Sequence, residues 1–166
     1  ELLSRAAKDS GFCEEIFENH DEKPTNSFLY SLVMDTYSVS GYSAAPFLDM
    51  PLNHKVFLAQ FDTIKKIASE ESCVIVGRCA TSILKDKSLK LFIHAPFEER
   101  VQNVIRRTGR EEASARKLVK KMDKERKAYY EYFTDSKWLD MTQYDLCIDS
   151  SRFSMEQIIE IVKRCL

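Results

Sequence analysis

The chain has 166 residues, the size of one ordinary domain, and 44% of them are hydrophobic, which excludes an intrinsically disordered chain. The net charge is −1 and no apolar run reaches the roughly 20 residues that span a bilayer, so a soluble, cytoplasmic protein is expected. The five cysteines form no C-x-x-C pair and the three histidines do not cluster, so no metal site is expected from these residues.

The first part of the chain shows mainly helical patterns. A short apolar stripe predicts a helix that ends at Gly11, and a second short helix is predicted over Cys13–Asn19. Apolar residues at helical spacing follow in Phe28–Val33, whereas the Ser-, Gly- and Pro-containing stretch Tyr37–Asp49 is predicted to be a loop. A longer amphipathic helix is predicted over Leu52–Ser69.

The second part alternates short apolar runs with helical patterns. Three strands are predicted, and the first of them is expected to be buried on both faces: Cys73–Val76, Leu89–Ile93 and Asp145–Ile148. Three helices are predicted in the same part of the chain, two between the second and third strands and one after the third, the last opening with a capping box of Ser154 and Gln157: Phe97–Arg107, Glu111–Tyr132 and Met155–Cys165. Strands separated by helices predict an α/β fold with a parallel sheet.

Positive charge is concentrated in residues 100–127, which hold eleven bases against four acids. Lys117, Lys121 and Lys124 are spaced i, i+4 and i+7, so one helix face carries three ammonium groups that repel each other unless an anion neutralises them. Asp123 and Arg126 are i, i+3 neighbours on the same helix. A phosphate-binding surface and a simple solvated helix face both account for this pattern.

A second candidate site is Gly77-Arg78 after the first predicted strand. Ligands of open α/β sheets bind at the carboxyl ends of strands, where Gly permits close approach and Arg offers a planar fork for phosphate. A turn with a surface Arg is the alternative.

The aromatic residues of Tyr129–Trp138 lie beside the basic stretch and could stack on bases, but their place at a helix-to-strand corner favours core packing. Cys73 and Cys147, on predicted strands, are expected to be small buried hydrophobes.

Read in order, these segments resemble the cytidylate-kinase-like family of P-loop nucleoside monophosphate kinases. The resemblance is carried by CVIVGRCATSILKDKSLKLFIHAPFEERVQNVIRR, by the basic Asp-x-x-Arg stretch KKMDKERKAYY and by YDLCIDSSRFSMEQIIEIV. It implies a P-loop NTPase fold, three-layer α/β/α, of which this chain would show strands 3–5 of the parallel sheet and a helical lid. It divides a single kinase-like domain into monophosphate-side helices and a loop (1–50), a core (51–110), a lid-like helix (111–138) and a final strand and helix (139–166).

The resemblance also implies an activity, the transfer of the γ-phosphoryl group of ATP to a nucleoside monophosphate with Mg²⁺. Arg78 and Gly77 would bind the acceptor's phosphate, and Lys121, Lys124 and Arg126 would close over the transferring group while Asp123 holds the basic groups in place. The implied partners are small-molecule nucleotides. Neither a membrane nor a nucleic acid is expected, and the pI near 6.4 argues against the latter.

Three departures from the family's pattern qualify this expectation. The four glycines permit no G-x-x-x-x-G-K-[ST] phosphate loop, which the family carries upstream of the position matching Glu1, so a preceding segment is expected. Cys79 stands where cytidylate kinases usually have Asp, which puts cytosine specificity in doubt. An Arg expected before the Gly-Arg strand is missing, and Lys55 is the nearest basic substitute. A nucleotide-binding regulatory protein that keeps the fold without efficient transfer is the alternative function.

Overall fold

The computed structural model describes residues 2–11, 15–16 and 52–166 of the chain. The predictions for Cys13–Asn19, Phe28–Val33 and Tyr37–Asp49 lie wholly or largely outside these residues. The described part is a helix-rich α/β structure whose elements are α1 (Leu2–Ser10), α2 (Leu52–Glu70), α3 (Ala80–Ile83), β1 (Leu91–His94), α4 (Phe97–Thr108), α5 (Glu112–Thr134), a 3-10 turn (Met141–Gln143), β2 (Leu146–Asp149) and α6 (Met155–Lys163). The chain forms two compact units, Glu1–Ala80 and Thr81–Leu166. No helix among the described residues is long and apolar enough to cross a membrane.

In the first unit, α1 packs on α2 through small apolar side chains. Ala6 and Ala7 are buried against Val56, which removes the apolar stripe of α1 from water. The helix ends at Gly11, whose φ of 74° lies in the left-handed region that favours glycine. The Gly11 amide donates a 2.9 Å hydrogen bond to the Ala7 carbonyl. The predicted end of the helix at Gly11 is therefore confirmed.

The segment Cys73–Val76 does not form the buried strand that its composition predicts. Residues 72–76 carry no ladder hydrogen bonds to any described strand, and the side chains of Val74 and Val76 are 94% and 76% exposed. Cys73 is exposed as well, so its expected burial is also wrong. A strand is buried on both faces only when neighbouring strands pair with its backbone and helices cover it, and apolar composition alone supplies neither.

The second unit contains a two-stranded sheet among its described residues. β1 and β2 pair in parallel, with Leu91 opposite Leu146 and His94 opposite Asp149, which confirms the predicted parallel arrangement. Side chains alternate between the two faces of a strand, so Ile148 is buried while its neighbour Cys147 is exposed. The expected burial of Cys147 is therefore wrong, because only one face of β2 is covered here.

Two helices joined by residues 109–111 share an apolar cluster in the second unit. Val101 of α4 is buried against Ala115 and Val119 of α5, and three half-buried side chains pack around this cluster: Phe97, Val104 and Ile105. Gly109 ends α4 with a φ of 66°, and its amide donates to the Ile105 carbonyl. Both helices lie within two residues of their predicted bounds.

The final helix, α6, begins with the predicted capping box. The Ser154 side chain accepts a hydrogen bond from the Gln157 amide, and the Ser154 amide donates to the Gln157 side chain at 2.8 Å. Two amide groups that the helix leaves without partners are thereby satisfied.

Substitution Ser154→Ala is expected to lower the free energy of unfolding by about 1 kcal/mol, because it removes the side-chain acceptor of this cap. The corresponding fall in the thermal unfolding midpoint is about 2–4 °C and is measurable by circular dichroism. Ser114→Ala is the matched control, because Ser114 lies in the first turn of α5 but is not its cap residue, which is Glu111. This control is expected to leave the midpoint unchanged or slightly raised, since Ala favours the helix more than Ser does. Equal losses for both variants would contradict the role of the cap.

Candidate functional site

The turn at Gly77–Cys79 has an unusual backbone. Gly77, Arg78 and Cys79 have φ angles of 75°, 52° and 56°, so three consecutive residues adopt the left-handed conformation. The Ala80 amide closes the turn on the Gly77 carbonyl at 3.1 Å, and α3 begins at that residue. A non-glycine residue in this region costs about 1–2 kcal/mol, so the conformation of the second and third residues must be stabilised by their surroundings.

Within this turn the two non-glycine side chains have different environments. The Arg78 guanidinium is half-buried and donates from Nη1 to the Val76 carbonyl at 2.8 Å. It lines an open groove of the first unit together with Leu2, Ile67, Glu71 and residues 72–76. Cys79, in contrast, is only 4% exposed, so its thiol belongs to the packed interior of the turn. The third predicted residue of this unit, Lys55, is half-buried in the first turn of α2.

The other four predicted site residues lie together on α5. The side chains of Lys121, Lys124 and Arg126 are exposed. Asp123, which lies between the two lysines in sequence, is half-buried. Lys121 lies 3.8 Å from Glu125 of its own helix, an exposed contact that is weak in water. The helix therefore presents these basic side chains to solvent.

Asp123 is engaged by a residue that the sequence did not single out. Arg100 of α4 donates from Nη1 to both carboxylate oxygens of Asp123, at 2.7 and 2.9 Å. Its Nε donates to the Ala95 carbonyl, which directly follows β1, at 3.1 Å. Which charges of α4 and α5 face each other depends on how the two helices cross, and local sequence patterns do not specify that crossing.

A second ion-pair system joins the amino-terminal ends of α4 and α5. Arg116 donates to both oxygens of Glu98 and to Glu112. The hydrogen bond from Arg116 holds the pKa of the Glu98 carboxyl below its usual value, although both side chains are substantially exposed. The Phe97 ring lies 5.8 Å from each of three cationic groups: Arg100, Arg116 and Lys120.

These contacts leave a net positive surface on α5. Four exposed lysines form no ion pair with any described residue: Lys117, Lys120, Lys124 and Lys127. Three of them, Lys120, Lys124 and Lys127, are spaced i, i+4 and i+7 and share one helix face. We call this face the basic face of α5. Because like charges at this spacing repel, a bound polyanion would stabilise it.

Polar residues also gather at the carboxyl edge of the parallel sheet, where ligands of open α/β sheets bind. His94 and Asp149 are paired in register at the ends of β1 and β2, and the Ser150 amide donates to the His94 carbonyl at 2.8 Å. Hydrogen bonds from the Ser151 hydroxyl and amide lower the pKa of the Asp149 carboxyl. These residues were not predicted as site residues, because alone they form a common turn motif.

The aromatic residues near the end of α5 serve packing, as their position predicted. Tyr129 and Tyr130 are 5% and 8% exposed, and the Tyr130 hydroxyl donates to the Gln143 side chain at 3.0 Å. Trp138 contacts the Phe92 ring of β1 edge to face at 5.9 Å. The buried rings of Tyr129 and Tyr130 offer no open face on which a base could stack.

No cluster of three His, Cys, Asp or Glu side chains in the described ranges could hold a metal ion. Mg²⁺ in phosphoryl-transfer sites is usually held by one or two protein oxygens together with substrate phosphates.

Comparisons with known proteins agree on one family. The model described as "Cytidylate kinase-like family" matches residues 1–152. Among curated proteins, the cytidylate kinases of Pyrococcus abyssi and Pyrococcus furiosus are each 35% identical over 101 residues, which is 60% of this chain and 55% and 52% of those proteins. The cytidylate kinase of Methanopyrus kandleri is 27% identical over 118 residues, covering 64% of this chain and 61% of that protein.

A solved structure is similar as well. The crystal structure of an uncharacterized protein from Eubacterium ventriosum ATCC 27560 superposes with a TM-score of 0.63 at 35% identity, over 68% of this chain and 72% of that chain. The present chain spans about half the length of the curated relatives named above.

Proposed function

Because this chain belongs to the cytidylate kinase-like family, we propose that its protein transfers the γ-phosphoryl group of ATP to a nucleoside monophosphate. The observation that carries the proposal is the basic face of α5, whose lysines are not neutralised by described acids. Phosphoryl transfer requires positioned positive charge around the moving group more than it requires an acid or a base. A surface of this kind supplies that charge.

Each predicted residue has a role in this proposal. Arg78, presented by the Gly77 turn, binds the phosphate of the acceptor, and Lys55 contributes a further positive charge on the acceptor side. Lys121, Lys124 and Arg126, of which only Lys124 belongs to the basic face, neutralise the phosphates of the donor and of the transferring group. Asp123 sets the direction of the helix that carries them. The left-handed backbone at Arg78 supports its role, because strained non-glycine residues cluster at functional sites.

The finer architecture is also part of the proposal. We infer that the two-stranded sheet belongs to a P-loop NTPase fold with three α/β/α layers and that α5 acts as its lid. Mg²⁺ would accompany ATP and would neutralise part of the charge of its phosphates. The chain's own residues then have to bind the phosphates, orient them and exclude water.

A regulatory nucleotide-binding protein is the second candidate function. One observation favours it: Cys79 is buried in the turn and occupies the place where cytidylate kinases usually carry Asp. A buried thiol cannot offer a base the hydrogen bonds of an exposed carboxylate. This candidate would bind nucleotide through the same basic face and would not transfer phosphate efficiently.

Steady-state release of ADP separates the two functions. The protein, expressed from its complete natural reading frame, is supplied with ATP, Mg²⁺ and, in turn, CMP, dCMP, UMP, AMP and GMP. The kinase proposal predicts release that saturates with at least one acceptor. Saturable ATP binding with no acceptor-dependent release would favour the regulatory function, and absence of ATP binding would contradict both.

A further inference from the structure

We propose that Arg100 is a positioning residue for the phosphoryl transfer described above, on which this inference rests. Its guanidinium connects two parts of the second unit. Nε is bound to the Ala95 carbonyl at the carboxyl end of β1, and Nη1 is bound to both oxygens of Asp123 in the middle of α5. Arg100 thus connects the carboxyl end of β1 to α5 through a single planar group.

The middle of α5 depends on the Arg100–Asp123 ion pair because the apolar core does not reach it. The buried residues of α5 are Ala115 and Val119 in its first half and Tyr129 and Tyr130 near its end. No residue in the stretch 120–127 is buried, and Met122 is 36% exposed. Apolar packing therefore sets the position of both ends of α5, whereas the ion pair sets the position of the turn around Asp123.

The lysines of the basic face lie directly beside this ion pair in the helix. Lys120 precedes Asp123 by three residues and Lys124 follows it by one, so the orientation of Asp123 determines where these ammonium groups point. A displacement of about 1 Å in a positioned group can lower a reaction rate by up to about 100-fold. Loss of Arg100 should consequently slow transfer more than it weakens the fold, since an ion pair whose two side chains are each about one-third exposed contributes only modestly to stability.

Arg116 offers a matched control on the same two helices. It also donates to both oxygens of a carboxylate across the helix pair, that of Glu98, but it lies next to Ala115, where the apolar core already sets the helix position. Arg116→Ala removes a comparable ion pair and leaves the Arg100–Asp123 ion pair in place. Its side-chain exposure of 37% is close to the 35% of Arg100.

The test compares Arg100→Ala, Arg100→Lys, Asp123→Ala, the double Ala variant and Arg116→Ala, in the protein expressed from its complete natural reading frame. Arg100→Ala is expected to lower kcat about 10- to 100-fold while the KM values for ATP and the acceptor change less than about threefold. Arg100→Lys should recover part of the rate, and the double variant should be no slower than the slower single variant. The thermal midpoint should shift by about 4 °C or less in every variant.

A rate loss in Arg116→Ala equal to that in Arg100→Ala would overturn the proposal, as would additive losses in the double variant. Backbone hydrogen exchange of residues 118–127, measured without nucleotide, gives a readout that does not depend on catalysis. Exchange there should be faster in Arg100→Ala than in Arg116→Ala, and equal rates would also overturn the proposal. If the unmodified protein releases no ADP with any acceptor, the proposed function fails, and hydrogen exchange alone decides whether Arg100 positions α5.

Discussion

Replacement of Arg78 by Ala is expected to lower acceptor-dependent ADP release by about 100-fold or more. The guanidinium can make two charge-assisted hydrogen bonds to a phosphate, and removal of a single well-placed donor from a reacting anion costs about 100-fold or more in other enzymes. Arg78→Lys should retain part of the activity, because it keeps the charge but loses the planar fork. Full activity in Arg78→Ala would contradict the phosphate-binding role.

The left-handed backbone at this position provides a control for misfolding. Arg78 has a φ of 52°, a conformation in which glycine is not strained. Arg78→Gly should consequently unfold within a few degrees of the unmodified protein, because relief of strain offsets the greater freedom of the unfolded chain. It should nevertheless be as inactive as Arg78→Ala. A stable, inactive Gly variant would assign the loss to the missing guanidinium, whereas a stable, active one would remove Arg78 from the site.

Replacement of Val101 by Asp is expected to lower the free energy of unfolding by about 3 kcal/mol or more. Val101 is completely buried between α4 and α5, where a carboxylate would have no partner for its charge. The thermal midpoint should fall by about 10 °C in a circular dichroism experiment.

Gln102→Asp is the matched control for this prediction, since it introduces the same charge at the neighbouring, exposed position of the same helix. It should change the free energy of unfolding by no more than about 0.5 kcal/mol. If the two variants are destabilised equally, the cluster around Val101 is not what holds the helix pair together.

Helix α5 illustrates what can be predicted for the candidate site. Spacing alone placed Lys121, Asp123, Lys124 and Arg126 on one helix, and the structure confirms that helix. The partner of Asp123 could not be predicted, because Arg100 is 23 residues away and meets it only through the crossing of two helices. Residue type marked Arg78 as a candidate, but nothing in the sequence indicated that its backbone is left-handed.

The local elements of this protein follow from its sequence by itself. The bounds of α4, α5 and α6 depend on apolar periodicity, on Gly109 and on the Ser154 capping box, all of which act within a few residues along the chain. The parallel pairing of β1 with β2 was also predictable, because strands connected through helices pair in this way.

Only the tertiary structure decided which surfaces are covered. Cys73–Val76 has the composition of a buried strand and is exposed, and Cys147 is exposed although its neighbour Ile148 is buried. Burial of a strand depends on partners distant in the chain, and so does the ion pair of Asp123 with Arg100. Local sequence patterns cannot specify such contacts, because their energy is gained only when separate elements meet.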